Sequence, residues 1–209
     1  MIALLAAVSA AFSPAGITFG KPVHRTVCQM SSTPLGRWGN AWSSVPERTS
    51  FPQSLTLASS FDLDLALRIA NATGSEVRAK NNDVVNRGIH AYHTGLSCWS
   101  PVLNIARHPL WGRQQETYGE CPFVNGVMGA AFVRGLQGNN ASKYLQANAG
   151  CKHFADFAGP RNSNMDHKLS ERDRVTTYLP QFKRCVEAGA PSLMCAYSAT
   201  NGTSSPPPN

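Results

Sequence analysis

The chain has 209 residues, of which 42% are hydrophobic and only 15% charged, against about 25% charged in an average domain. A core can be buried at this size and long charged disordered stretches are excluded, while a complete (β/α)8 barrel, which typically takes about 250 residues and seldom fewer than about 200, barely fits. The net charge is +7, but Lys and Arg are scattered singly from Lys21 to Arg184, so the cationic stripe that nucleic-acid binding requires is missing.

Residues 1–48 carry Pro14, Pro22, Pro34 and Pro46 among Gly and Ser and read as an irregular N-terminal segment. Within it, Met1 to Phe12 is an apolar run with Val8-Ser9-Ala10 as a small-residue exit. These are marks of a secretory signal, without a positive first region, and the run is too short to span a membrane. Residues 49–203 are patterned. Leu63, Leu65, Leu67, Ile69, Ala70 and Val77 predict a helix from about Asp62 to Lys80, with Asp62 and Asp64 favourable in its first turn. Gly95 to Ile105 predicts a buried strand. Pro122 opens a helix through Gly138 whose apolar face is Phe123, Val127, Ala130, Ala131, Val133 and Leu136. Tyr144 to Phe154 predicts the next strand.

Ser170 is the expected N-cap of a third helix, with Asp173 as capping partner, Val175, Tyr178, Leu179, Phe182 and Val186 as its apolar face, a kink at Pro180 and an end at Gly189. Ser192 to Tyr197 is a further strand, and residues 204–209 form a Pro-rich tail. Alternating helices and strands with short connections imply an α/β fold with parallel strands, as a barrel or an open sheet.

Six cysteines without a C-x-x-C pair argue against a zinc site and permit disulfides, whose pairing the sequence does not choose. Asn71-Ala72-Thr73, Asn140-Ala141-Ser142 and Asn201-Gly202-Thr203 are N-glycosylation sequons. No Gly-rich loop joins a strand to a helix, since Gly135-Leu136-Gln137-Gly138 ends a helix, so a nucleotide or phosphate cofactor is not expected.

Functional groups in parallel α/β folds gather where strands end. Here the first predicted strand runs into Asn104, Arg107, Arg113 and Glu116, the second ends on Lys152-His153, and the third ends on Tyr197 and Asn201. Such a rim of donors suits a polyhydroxylated or anionic ligand. Glu116 and Glu120 are a tempting pair of carboxylates for glycoside hydrolysis, although side chains so placed also serve to orient a neighbour such as Arg113.

The stretch Trp99 to Pro122, W-S-P-V-L-N-I-A-R-H-P-L-W-G-R-Q-Q-E-T-Y-G-E-C-P, resembles the signature of glycoside hydrolase family 3, in its β-xylosidase and β-glucosidase branch. The resemblance runs from Thr49-Ser50-Phe51-Pro52-Gln53 through Lys152-His153-Phe154 and Met194-Cys195-Ala196-Tyr197 to Asn201-Gly202. It implies a partial TIM-like barrel over 49–203, truncated before the nucleophile strand, and a retaining, exo-acting β-glycosidase acting on β-linked xylo- or gluco-oligosaccharides. Arg113, Lys152 and His153 match residues that hold sugar hydroxyls, and Tyr197 matches a tyrosine near the nucleophile.

The sequence also departs from the family. His108 stands where Asp usually follows Arg107, Cys121 where Asp follows Glu120, and Ser198 where Asn follows Tyr197. Gly36 to Trp42 offers no acidic match, and Arg161 is out of register with a family arginine. The family's nucleophilic Asp follows a hydrophobic run beyond the Tyr197 region, and its acid/base comes from a later domain. Neither is expected among these residues, so the 209-residue chain is expected to be inactive on aryl β-xylosides. The rival expectation is a non-catalytic carbohydrate-binding remnant, with Trp99 or Trp111 as a platform beside Arg113, Lys152 and His153.

Overall fold

A computed structural model of the chain describes residues 27–28, 49, 51–89, 94–138, 144–157 and 166–204. The apolar run at 1–12, Gly36 to Trp42, the Asn140 sequon, Arg161 and residues 205–209 lie outside the described residues. The elements in order are β1 (Val27–Cys28), α1 (Ser54–Ala58), α2 (Leu63–Asn86), β2 (Ser97–Cys98), α3 (Pro122–Gln137), β3 (Asn148–Phe154), β4 (Asp166–His167), α4 (Glu171–Asp173), α5 (Pro180–Glu187), β5 (Ser192–Cys195), β6 (Ala199–Thr200) and β7 (Thr203–Ser204). Strands β1-β2-β3-β5 form one sheet in that order with every pair parallel, and β4-β6-β7 form a second, small sheet. The chain is thus α/β, as its alternation of periods implied.

The helix expected over Asp62–Lys80 runs on to Asn86, and Asp62 caps it by accepting from the Leu65 amide at 2.9 Å. Its buried residues are not the leucines but Ala66, Ala70, Thr73, Gly74 and, near its end, Val84, and Leu63 stays exposed. The reason is a close helix crossing. A Cβ placed on Gly135 of α3 would strike the Leu67 carbonyl oxygen and lie 2.7 Å from the Ala70 Cβ, and one on Gly74 would strike the Leu136 carbonyl oxygen. Small residues let the two backbones touch, so the larger side chains flank the contact. Gly135→Ala should therefore destabilise the chain by about 2 kcal/mol or more through overpacking, although Ala inside a helix is otherwise worth about 1 kcal/mol over Gly. Urea unfolding measures this.

Helix α3 begins at Pro122 as expected and ends where Gly138 takes φ 90°. Val133 and Leu136 are fully buried, but Phe123 is exposed and lies under the Arg184 guanidinium, 5.0 Å from ring centroid to Cζ. The third helix divides at its proline. Ser170 caps α4 through the Asp173 amide at 3.1 Å, a π-helical turn covers Arg174–Tyr178, and Pro180 opens α5. Within this segment Val175 is exposed, because the widened turn rotates it off the buried face.

The strand expected over Gly95–Ile105 shrinks to Ser97–Cys98, because Pro101 has no amide hydrogen for the ladder; the chain rejoins β3 at a single Val102–Lys152 bridge. The expected Tyr144–Phe154 strand starts at Asn148, and Ser192–Tyr197 stops at Cys195. Helix α3 packs between α2 and α5, and the core joins Leu103, Met128, Val133, Leu136, Ala149 and Phe182. Cys151 of β3 is bonded to Cys185 of α5. Among the described residues no helix is long and apolar enough to cross a membrane, and no group of ligating side chains could hold a metal ion.

Candidate functional site

The site is built at the end of β3. Adjacent strand residues point to opposite faces, so Lys152 and His153 would ordinarily part company. A register shift separates them: Lys152 pairs with Met194 while Phe154 already pairs with Cys195. His153 is the extra residue of a bulge, a device that re-aims side chains beside functional sites. Cys151 before it faces α5, and Phe154 after it meets the Phe182 ring edge-on at 5.2 Å. Lys152 and His153 are left together on the face away from the helices, and both come under the influence of Arg113.

Arg113 arrives from the loop after β2. Its Nε and Nη2 donate to the two Glu116 oxygens, each at 2.6 Å, and its Nη1 contacts His153 Nε2 at 2.9 Å. Glu116 therefore orients the arginine, while Glu120 is exposed, and the structure does not make them a facing carboxylate pair. Asn125 secures the loop from α3: its Nδ2 donates to the Gly119 and Cys121 carbonyls and its Oδ1 accepts from the Tyr118 amide. Asn104, fully buried, does the same for His153, donating to the carbonyls of His153 and Ala155 and accepting from the His153 amide at 2.8 Å.

Lys152 is 3% exposed. Burial and the Arg113 charge lower its pKa to about 8, partly opposed by Glu116. At neutral pH it is thus a cation held under tension, with no hydrogen bond from its ammonium among the described residues. His153 is lowered to about 3 by burial, Arg113 and Lys152, and is neutral. Glu116→Gln should drop the Lys152 pKa further and loosen Arg113, costing about 1–2 kcal/mol because the pair is partly exposed. An NMR pH titration of the Lys152 Cε group and a denaturation curve read the two effects.

The structure does not bring Tyr197 into this cluster. Its neighbours Ala196 and Ser198 turn inward, and its own ring is 90% exposed. Trp111 forms no open platform, whereas Trp99 is half-buried. Trp111 is buried against Phe157, at 5.6 Å between ring centroids, and Trp99 lies over Gly150, where a Cβ would come within 2.5 Å of its ring. The expected strand-end groups Arg107 and Asn201 serve elsewhere: Arg107 stacks on the Tyr178 ring at 4.8 Å, and Asn201 bonds both backbone groups of Leu169. Asp156, unmentioned by any motif, is buried just beyond the bulge and accepts a hydrogen bond from the Thr200 hydroxyl. A carboxylate four residues after Lys152 was the available signal.

The grouping of Arg113, Lys152 and His153 offers charged and neutral polar groups to a ligand rich in hydroxyls. Residues 40–208 match the family model described as the glycosyl hydrolase family 3 N terminal domain. The chain is similar to probable beta-D-xylosidase 7 of Arabidopsis thaliana, 41% identical over 170 residues, which is 76% of this chain and 21% of that protein. It is similar to a xylan 1,4-beta-xylosidase of Xylanibacter ruminicola, 38% identical over 71% of this chain and 18% of that protein. Among solved structures it resembles a GH3 exo-beta-xylosidase in complex with a xylobiose aziridine probe, with TM-score 0.66, 31% identity and coverage of 74% of this chain and 20% of that one. A beta-glucosidase from Listeria innocua in complex with glucose gives TM-score 0.61 and 30% identity, over 74% of this chain and 20% of that one. The chain spans about a fifth of the length of these relatives.

Proposed function

The chain belongs to glycoside hydrolase family 3, and from that premise we propose that it supplies the sugar-gripping wall of a retaining, exo-acting β-glycosidase, of the β-xylosidase type. The observation that carries this reading is the bulge at His153, which gathers Lys152, His153 and the Glu116-clamped Arg113 on one side of the sheet. Their polar groups address sugar hydroxyls, and interactions that strengthen as charge develops at the ring contribute to rate as well as affinity. Tyr197, which the family resemblance adds to the binding set, is solvent-facing on its loop and apart from these three residues, so the reading does not rest on it. The substrate is a β-linked xylo- or gluco-oligosaccharide; the xylosidases among the relatives favour the former.

The parallel strands β2, β3 and β5 with α2, α3 and α5 in one layer support a partial (β/α)8 barrel over 49–203, since an open doubly wound sheet carries helices on both faces. Retaining hydrolysis needs a nucleophilic carboxylate and an acid/base carboxylate. Glu116 is committed to Arg113, so residues 1–209 by themselves bind and do not cleave. The apolar run at 1–12 and the Cys151–Cys185 bond support passage through an oxidising, secretory compartment.

Isothermal calorimetry of the 209-residue chain with D-xylose and D-glucose tests the reading. Binding that Lys152→Ala weakens about tenfold or more, the loss of a hydrogen bond to a charged group, supports it, and absence of binding defeats it. Turnover of 4-nitrophenyl β-D-xyloside that survives Glu116→Gln with Glu120→Gln would overturn the division between binding and cleavage.

A further inference from the structure

The hydrogen bonds around His153 determine which of its ring nitrogens carries the proton. Imidazole tautomers and carboxamide orientations are usually ambiguous and must be inferred from partners. Here the backbone removes the ambiguity. The Asn104 nitrogen faces two carbonyl oxygens, those of His153 and Ala155 at 2.9 and 3.1 Å, which can only accept. Its oxygen faces the His153 amide at 2.8 Å, which can only donate. The carboxamide therefore has one orientation, and the atom it places 3.1 Å from His153 Nδ1 is an acceptor. Nδ1 must carry the hydrogen. On the other side of the ring, Arg113 Nη1 lies 2.9 Å from Nε2, and a guanidinium can only donate. Nε2 must be bare. Two sets of partners, one at each ring nitrogen, give the same answer.

We infer that Asn104 is a positioning residue that fixes His153 as the Nδ1–H tautomer, so that the ring meets a bound sugar hydroxyl as a hydrogen-bond acceptor at Nε2. The sugar part of this statement rests on the function proposed above; the tautomer does not. It changes the chemistry of the wall. A rim of donors alone would take each sugar hydroxyl as an acceptor, whereas here Lys152 and Arg113 donate and His153 withdraws a hydroxyl hydrogen toward its lone pair. A hydroxyl placed among them accepts from a cation and donates to the ring, which fixes its rotation. In the ligand-free chain Arg113 Nη1 occupies the Nε2 lone pair, and a sugar hydroxyl takes that position in its turn.

Long-range proton–nitrogen NMR on the 15N-labelled 209-residue chain tests this, with the His153 resonances assigned by their loss in His153→Gln. At pH 7 the expected pattern is a proton-bearing, pyrrole-type Nδ1 and a bare, pyridine-type Nε2. Arg113→Ala, a change at a partly exposed side chain, should leave Nδ1 protonated because Asn104 alone suffices, while adding Asn104→Ala to it should shift the ring toward Nε2–H. An Nε2–H ring in the wild type or in Arg113→Ala, or an imidazolium at pH 7, would overturn the assignment. D-xylose should then move the Nε2 resonance while Nδ1 keeps its proton. A proton transferred to Nε2 on xylose binding overturns the acceptor role, and a spectrum that no sugar perturbs overturns the carbohydrate reading while the ligand-free tautomer is still decided.

Discussion

At pH 4.5 the chain is expected to be about 3 kcal/mol less stable than at pH 7, and His153→Gln should remove most of that difference. The folded-state pKa of His153 is about 3, well under the ordinary value of 6.5. Between those two values the unfolded chain binds the proton and the folded chain does not, so stability rises with pH across this window and falls as acid is added. Each pH unit in the window is worth about 1.4 kcal/mol, which gives about 3 kcal/mol over the two units from 6.5 to 4.5. The cause is structural: protonation would put a second cation on Nε2 against Arg113, in a site that burial already makes hostile to charge.

Other groups are separable. Asp166 and Glu187 are surface carboxylates held below the ordinary carboxylate range, mainly by the Gly202 amide and by the Lys183 ammonium respectively. His167 is also lowered, by burial and Arg107 against the opposing charges of Asp156 and Asp166, and leaves a smaller residual slope in the His153→Gln variant. Urea unfolding at half-unit steps from pH 7 to 4.5 compares the slopes directly. Equal slopes in wild type and variant would show that His153 is not buried neutral beside Arg113.

The parts of this site that the sequence made legible were residue identities, and the parts it did not were geometric. Arg113, Lys152 and His153 could be named because each sits in a motif, and the helix from Pro122 to Gly138 could be bounded because proline and glycine punctuate it. The bulge at His153 could not, since a one-residue register shift depends on how Met194 and Cys195 pair with β3. Strict alternation would have sent the two neighbouring residues to opposite faces. The burial of α2 was not legible for a related reason: leucine spacing predicts the helix, but Gly74 and Gly135 decide how near two backbones come and so which residues the contact covers. Tyr197 stands apart because its orientation follows from the inward turn of Ala196 and Ser198, which no local pattern specifies.

Removing the Cys151–Cys185 bond is expected to cost about 3–4 kcal/mol, from the entropy that a cross-link across a loop of this length takes from the unfolded chain. The two residues are 34 apart in sequence, and the bond joins β3 to α5 across the helix-facing side of the sheet. Both side chains are inaccessible to solvent, so a reductant can reach them only through opened or unfolded molecules. The consequence is a protein that resists dithiothreitol at low denaturant and loses stability steeply once unfolding exposes the sulfurs. Cys151→Ala with Cys185→Ala should unfold at correspondingly lower urea, with a small added cost from the volume of two buried sulfur atoms. The site should survive in the folded variant, because β3 is also held by its ladders to β2 and β5 and by the Asn104 contacts to His153 and Ala155. Two readouts therefore separate: the urea midpoint falls, while the His153 ring resonances at low denaturant stay where they are. A midpoint that does not move would mean that the bond does not form; ring resonances that do move would mean that the bond, and not the bulge with its Asn104 anchor, sets the position of Lys152 and His153.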